Sequence, residues 1–338
     1  MSNVDIKMTL KTLQSGSLLD RHQMNCVVKT IMNGDVPDIQ ISSFLSLIAA
    51  RGETIEEIIG AATAMRDRAL KINAPSDAVD CCGTGGTGLS TYSVSTAVAI
   101  VASACGVPMA KHGNRAATSK SGTADTLEAL GVPLDYSKET IEKSLSEIGF
   151  GFLMAPLHHQ ALRHVAHVRK ELGFRTIFNI LGPLANPAQT KRQLIGVSDK
   201  KYLEPLSHAL KEMGTQHAWI VHGEDGMDEI TVTGNTYVSV LDNGTITQKT
   251  LTPEDFGLPY HELNDLKGGD PYTNAAALKA LLKGEKNAYR DIVLANTAAI
   301  LVIAQKVSDL KEGVVFASNA IDNGHALNKL NAYKAYKK

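Results

Sequence analysis

Apolar residues recur at helical spacing through the start of the chain. Asp20 stands before Met24, Val27, Val28, Ile31 and Met32, a one-sided stripe that predicts a capped helix. Thr54-Ile-Glu-Glu57 is a capping-box pattern: Glu57 reaches back to the Thr54 amide while Ile58, Ile59 and Ala62 continue the apolar face. Residues 1–72 are therefore read as helices only, a small domain or dimer surface and a poor catalytic scaffold by itself. Asn73-Ala-Pro75-Ser76 reads as the linker out of it.

From Ala78 the pattern changes to short apolar runs alternating with helical periods. Strands are expected at Ala78–Cys82, Val107–Ala110, Phe150–Ala155, Gln193–Val197 and Ala218–His222. Helices are expected at Ser95–Cys105, Ser121–Leu130, Lys138–Ile148 and Leu203–Met213. Such alternation implies an α/β core with a largely parallel sheet. Tyr237–Leu241 and Thr245–Thr250 flank the turn signal Asp242-Asn243-Gly244, so a hairpin makes the sheet mixed. Ile292–Ala304 is apolar but too short for a membrane span, which needs about 20 residues, and is read as a buried helix.

Composition narrows the function classes. At 338 residues the chain exceeds most single-core folds, and its formal net charge of −1 offers no general attraction for nucleic acid or a membrane surface. Any anion site must be local. Cys26, Cys81, Cys82 and Cys105 show no CxxC spacing and read as free thiols, consistent with a cytoplasmic protein.

Gly83-Thr-Gly-Gly-Thr-Gly88 follows the first strand and formally fits G-x-G-x-x-G. A dinucleotide fold would open a helix at the last glycine and place an acidic residue about 20 positions on. Instead Leu89–Ser93 is a polar loop, and no Asp or Glu occurs from Cys81 through Ala124. A Walker loop is excluded by the missing Gly-Lys-Ser/Thr. What that segment offers is glycine amides, a helix start near Ser95, hydroxyls on Ser90, Thr91, Ser93, Ser95, Thr96, Thr118, Ser119, Ser121 and Thr123, and the cations Lys111, Arg115 and Lys120. Those are the groups that hold a polyphosphate. Lys111-His-Gly-Asn-Arg115 sits at the end of a strand, where α/β sheets bind ligands. Asp228-Glu229, on a loop past another strand, suits a hard cation such as magnesium. His158, His159, His164 and His167 are expected on one helix; two histidines sharing a face are too few for zinc. A Ser-His-Asp hydrolase is rejected for want of a G-x-S-x-G elbow.

Together these segments resemble the anthranilate phosphoribosyltransferase family nearly end to end. Gly83–Thr87 is similar to the family's GTGGD, and Ser93-Val-Ser-Thr96 to its N-x-S-T stretch. Lys111–Arg115 matches KHGNR, Phe178–Pro187 resembles its NILGPL-x-NP signature, and Asp228-Glu229 its metal-binding DE pair. The resemblance implies an α/β fold with a small all-helical domain, residues 1–72 joined by helices from about 160–190, and a large α/β domain, residues 73–338. It implies a homodimer formed through the helical domain. It also implies transfer of phosphoribosyl from phosphoribosyl diphosphate to the anthranilate amino group, a step of tryptophan biosynthesis, with magnesium, expected as two ions.

On the same basis Gly83, Gly86, Thr91, Ser95, Thr96, Lys111 and Ser119 would hold phosphoribosyl diphosphate, with Thr87, Ser93 and Thr123 beside them. Ser95, Asp228 and Glu229 would bind the metal. Gly83, Asn114 and Arg169 would contact anthranilate, and His112, His159 and Pro183 would line its path. Two departures stand out: Thr87 replaces the family's usual Asp, and Ser93 its usual Asn. A pyrimidine nucleoside phosphorylase and a silent nucleic-acid-binding relative are the alternatives. The phosphate-loop sequence disfavours the first and the near-zero net charge the second.

Overall fold

The computed structural model describes residues 5–116 and 120–336. The chain opens with four helices, α1 (Ile6–Gln14), α2 (Arg21–Met32), α3 (Asp38–Arg51) and α4 (Ile55–Arg68). Both expected caps form: Asp20 exchanges hydrogen bonds with Gln23 at the start of α2, and Thr54 with Glu57 at the start of α4. There follow β1 (Val79–Gly83), α5 (Val94–Ala104), β2 (Met109–Gly113), α6 (Thr123–Ala129), α7 (Lys138–Glu147), β3 (Phe150–Met154), α8 (Ala155–His158), α9 (Arg163–Leu172), α10 (Phe178–Leu181) and β4 (Arg192–Gly196). The rest is α11 (Leu203–Glu212), β5 (His217–Gly223), the hairpin β6 (Thr236–Asp242) and β7 (Thr245–Leu251), then α12 (Pro271–Leu282), α13 (Ala288–Ile303), α14 (Leu310–Asp322) and α15 (His325–Lys334).

The strands form one mixed, mostly parallel sheet in the order β3-β2-β1-β4-β5-β6-β7. β1 to β5 run parallel; β6 and β7 are antiparallel. Successive side chains on a strand point to opposite faces, so a sheet covered on both sides divides its core in two. Leu194, Trp219 and Val221 join the apolar layer built with α5, α13 and α14. Ile195, Ala218 and Ile220 face the layer that contains α2, α3, α4 and α11. Among the described residues no helix is long and apolar enough to cross a membrane.

From β1 the chain steps outward to β2 and β3, then returns to place β4 on the other side of β1. A reversal of this kind opens a crevice at the carboxyl ends of the two strands where it occurs, and α/β sheets bind ligands there. Most expected strands and helices stand within a residue or two, the order of uncertainty inherent in element ends, but β2 ends three residues later, at Gly113, and α13 starts four residues earlier, at Ala288. One expectation fails. His158 closes α8, His159 adopts φ −118° and ψ 53°, and a short 3-10 turn precedes α9, so His158 and His159 do not share a helix with His164 and His167. Burial of the first two imidazoles overrides the local periodicity.

Candidate active site

The crevice between β1 and β4 is shaped by two glycines. Gly83 and Gly196 are register partners at the ends of their strands, and Asp228 is folded down over both. A Cβ on Gly83 would strike the Asp228 carboxylate, and one on Gly196 the Asp228 carbonyl. The chain leaves β1 through Gly85 and Gly86, both with positive φ (64° and 73°), a conformation that costs glycine little. The Gly85 peptide is held from both sides: its N–H donates to Asp228 Oδ2 at 2.8 Å, and its carbonyl accepts from Arg175 Nη1 at 2.7 Å. Thr87 turns its hydroxyl back to accept from the Leu89 amide at 3.1 Å. No helix starts until Val94, so the dinucleotide reading fails in the structure too.

Opposite the loop, the first turn of α5 presents Ser95, with Thr96 buried beside it. Lys111, 1% exposed, runs under the sheet end to donate to the Cys81 carbonyl at 2.7 Å and Ser95 Oγ at 3.2 Å. Sequence reasoning missed Asp80. It is fully buried on β1, and its Oδ1 accepts from the His112 amide at 3.0 Å. Burial holds its carboxyl above the usual range, and the Lys111 charge offsets this in part. An acid within an apolar run of a central strand was the available signal.

Asp228 and Glu229 are half-buried. Burial raises Asp228 above the ordinary carboxylate range, and burial followed by repulsion from Asp228 pushes Glu229 up to about 8. Among the described residues neither forms an ion pair, and no group of three or more His, Cys, Asp or Glu is placed to hold a metal. Two adjacent carboxylates short of positive charge, with Ser95 nearby, fit a cation that takes few protein ligands and completes its shell with water and phosphate oxygens.

On the other flank, His112 and His159 sit with ring centroids 5.3 Å apart. Burial drives His112 well below its usual value and His159 to about 4, so both are neutral. Nε2 of His112 and both ring nitrogens of His159 are buried without a hydrogen-bond partner among the described residues. Pro183 is buried, its carbonyl taking the Gln193 side chain at 2.9 Å. Arg169, half-buried on α9, lies 5.7 Å from the Phe178 ring centre and forms no ion pair among the described residues. Burial lowers its pKa.

Some expected ligands are committed elsewhere. Ser93 Oγ is 2.6 Å from Thr126 Oγ1, and Arg115 pairs with Asp125 at 2.9 Å and Glu128 at 2.7 Å. Asn114 is exposed, its Oδ1 accepting from the Arg115 amide at 2.7 Å. Thr91 bridges to Lys267, which backs the 90–93 loop with the Gly268 segment. Thr123 packs on Gly113. Ser119, and Thr118 with it, lie outside the described residues. Arg175 was also missed; it lies in an ordinary loop and no motif spacing marks it.

Residues 7–69 match the helical bundle domain of the glycosyl transferase family, and residues 75–327 match its a/b domain. The chain is 52% identical to the anthranilate phosphoribosyltransferase of Beijerinckia indica, covering 93% of this chain and 92% of that protein. It is 51% identical to that of Parvibaculum lavamentivorans, over 95% and 94%. Among solved structures, the anthranilate phosphoribosyltransferase of Thermus thermophilus superposes with a TM-score of 0.92 at 40% identity, covering 98% of this chain and 99% of that one. The Saccharomyces cerevisiae enzyme in complex with phosphoribosyl diphosphate and magnesium superposes with a TM-score of 0.89 at 31% identity, over 97% and 96%.

Proposed function

This chain belongs to the anthranilate phosphoribosyltransferase family, and from that premise we propose how its residues divide the transfer of phosphoribosyl from phosphoribosyl diphosphate to anthranilate. The reading rests above all on one observation: Asp228, beside Glu229 and like it in no ion pair among the described residues, lies over the paired glycines Gly83 and Gly196 at the reversal of strand order. The glycine loop at Gly83 and Gly86, the hydroxyls of Thr91, Ser95 and Thr96, and Lys111 form the diphosphate cradle. Ser95, Asp228 and Glu229 would hold magnesium, expected as two ions. When bound, the metal supplies charge neutralisation for the departing diphosphate.

As the C1–O bond lengthens, the ribose takes on oxocarbenium character and the leaving group gains negative charge. Fixed donors lower the barrier where that charge develops, because they need no reorganisation at the moment of reaction. Lys111 is such a donor, already tied to Cys81 and Ser95. Arg169, without an acidic partner, orients anthranilate through its carboxylate, which leaves the aniline nitrogen facing C1. Holding both reactants in line accounts for much of the rest, about 7–11 kcal/mol in favourable cases. The aniline nitrogen is neutral and needs no base to attack. Neutral His112 and His159 line its path and can accept the proton released afterwards.

Residues 1–72, joined by helices from about 160–190, are taken as the helical domain and residues 73–338 as the α/β domain. Exposed Met8, Leu18 and Ile39 on the bundle support a homodimer through the helical domain. Turnover followed against free magnesium tests the metal assignment. Asp228→Asn is expected to need at least about tenfold more magnesium, the loss of one charged ligand; parental dependence would contradict the assignment. The stoichiometry of manganese bound with phosphoribosyl diphosphate tests the count of two, and sedimentation of Ile39→Asp tests the dimer.

A further inference from the structure

Arg175 stands out among the groups that the transfer chemistry does not yet use. Its guanidinium lies across the glycine loop so closely that a Cβ on Gly86 would strike Nη1. Nη1 holds the Gly85 carbonyl at 2.7 Å. Nη2 is buried and has no acceptor among the described residues. Among the described residues no carboxylate forms an ion pair with Arg175: Asp228 lies within its field, but its Oδ2 takes the Gly85 amide, and nearby Tyr202 donates its hydroxyl to Glu53 at 3.0 Å. A buried, unpaired arm of a guanidinium is costly to maintain unless an anion completes it, and the planar fork suits two acceptors at once. One acceptor is the loop carbonyl. The other must enter with a ligand.

We propose that Arg175 is a substrate-binding residue: Nη1 fixes the glycine loop, and Nη2 donates to an anionic oxygen of phosphoribosyl diphosphate. The proposal rests on the placement of the diphosphate cradle given above.

Two substitutions separate the two arms. Arg175→Gln keeps one donor for the Gly85 carbonyl but removes the charge and the fork; Arg175→Lys keeps the charge on a single head. Calorimetric titration with phosphoribosyl diphosphate, and with inorganic diphosphate as a second probe, is run in magnesium at low and high salt. Arg175→Gln is expected to weaken both ligands at least about tenfold at low salt and to flatten the salt dependence, since a charge-assisted contact is lost. Arg175→Lys should recover part of the affinity, and the KM for anthranilate should change less than twofold in both. Parental affinity and salt dependence in Arg175→Gln would overturn the proposal and reduce Arg175 to a loop tether. If the parent protein itself binds neither probe, the cradle assignment fails, and the proposal with it. A melting curve checks that each variant is folded. Should the Gln variant unfold, an Arg175→Lys variant with fully parental affinity for both probes would overturn the proposal, because a point-like ammonium on a shorter stem does not reproduce the planar fork that spans the two acceptors.

Discussion

Two glutamates, Glu57 in the helical bundle and Glu229 in the crevice, face opposite situations. Glu57 is fully buried at the start of α4, and every direction from its carboxylate meets a protein donor: the Leu19 amide at 3.1 Å, the Thr54 amide at 3.0 Å and Arg51 Nη2 at 2.6 Å. Glu229 is half-buried beside a second carboxylate, and burial and that neighbour push its pKa to about 8. The same contrast runs through the surroundings. The bundle caps α1, α2 and α4 with its own side chains, and in the Glu57 network only Arg51 Nη1 is buried without a partner among the described residues. The crevice leaves Arg175 Nη2, Thr96 Oγ1 and the His112 and His159 ring nitrogens buried without partners among the described residues. Buried polar groups are normally satisfied, so a cluster of exceptions marks where a ligand finishes the structure. The bundle spends its polar groups on stability, and the crevice keeps them for substrate.

The largest expected effect comes from breaking the closed site. Glu57→Ala leaves Arg51 and two amides without their acceptor and should destabilise the protein by about 3–5 kcal/mol, the range for removing one partner of a buried pair. Urea unfolding measures it; a loss below about 1 kcal/mol would mean the network is ornamental. Next, Gly196→Ala places a methyl where the Asp228 carbonyl lies. Moving that carbonyl is expected to cost about 1–3 kcal/mol, as overpacking does, and to cut turnover at least about tenfold while leaving the bundle intact. Parental turnover would show that Asp228 need not sit where it does.

A smaller effect follows from the imidazoles. His159 is held at about 4 when folded, against about 6.5 in an unfolded chain. The unfolded state therefore binds a proton that the folded state refuses. Stability is complete above pH ~6.5 and falls by up to ~1.4 kcal/mol per pH unit as the pH drops toward 4. His112 adds to the fall in the same direction. His159→Gln should lower the number of protons taken up on unfolding by one, measured from the pH dependence of the urea midpoint; an unchanged slope would refute the buried neutral ring. The smallest effect is that of Thr87→Asp. A carboxylate next to Gly86 shares the Arg175 charge and should raise the KM for phosphoribosyl diphosphate about fivefold at low magnesium, roughly 1 kcal/mol, with kcat little changed. Steady-state kinetics across magnesium concentrations decide it, and an unaltered magnesium profile would contradict it.

Legibility followed the same division. The caps at Asp20 and Thr54, the glycine loop after the first strand and the 242–244 turn announce themselves because the signal and the structure are local. The cradle was visible as a long stretch without carboxylates. Asp80 and Arg175 were not, because their importance comes from what the fold brings to them: a β2 amide in one case, a glycine loop ninety residues away in the other. The turn at His159 was hidden for a similar reason, since its conformation answers to burial rather than to neighbours in sequence. Ser93 belongs here as well, with its hydroxyl drawn to Thr126 by contacts that spacing cannot show.

The most direct test joins chemistry and stability in one variant, Glu229→Gln. Loss of anthranilate fluorescence is followed after adding phosphoribosyl diphosphate and magnesium, and the urea midpoint is measured on the same preparation. The account predicts turnover slowed at least about 100-fold, as for other lost transition-state electrostatics. It predicts a midpoint equal to or above the parent's, because an uncompensated carboxylate has been relieved. Parental turnover, or a midpoint that falls as far as that of Glu57→Ala, would contradict it.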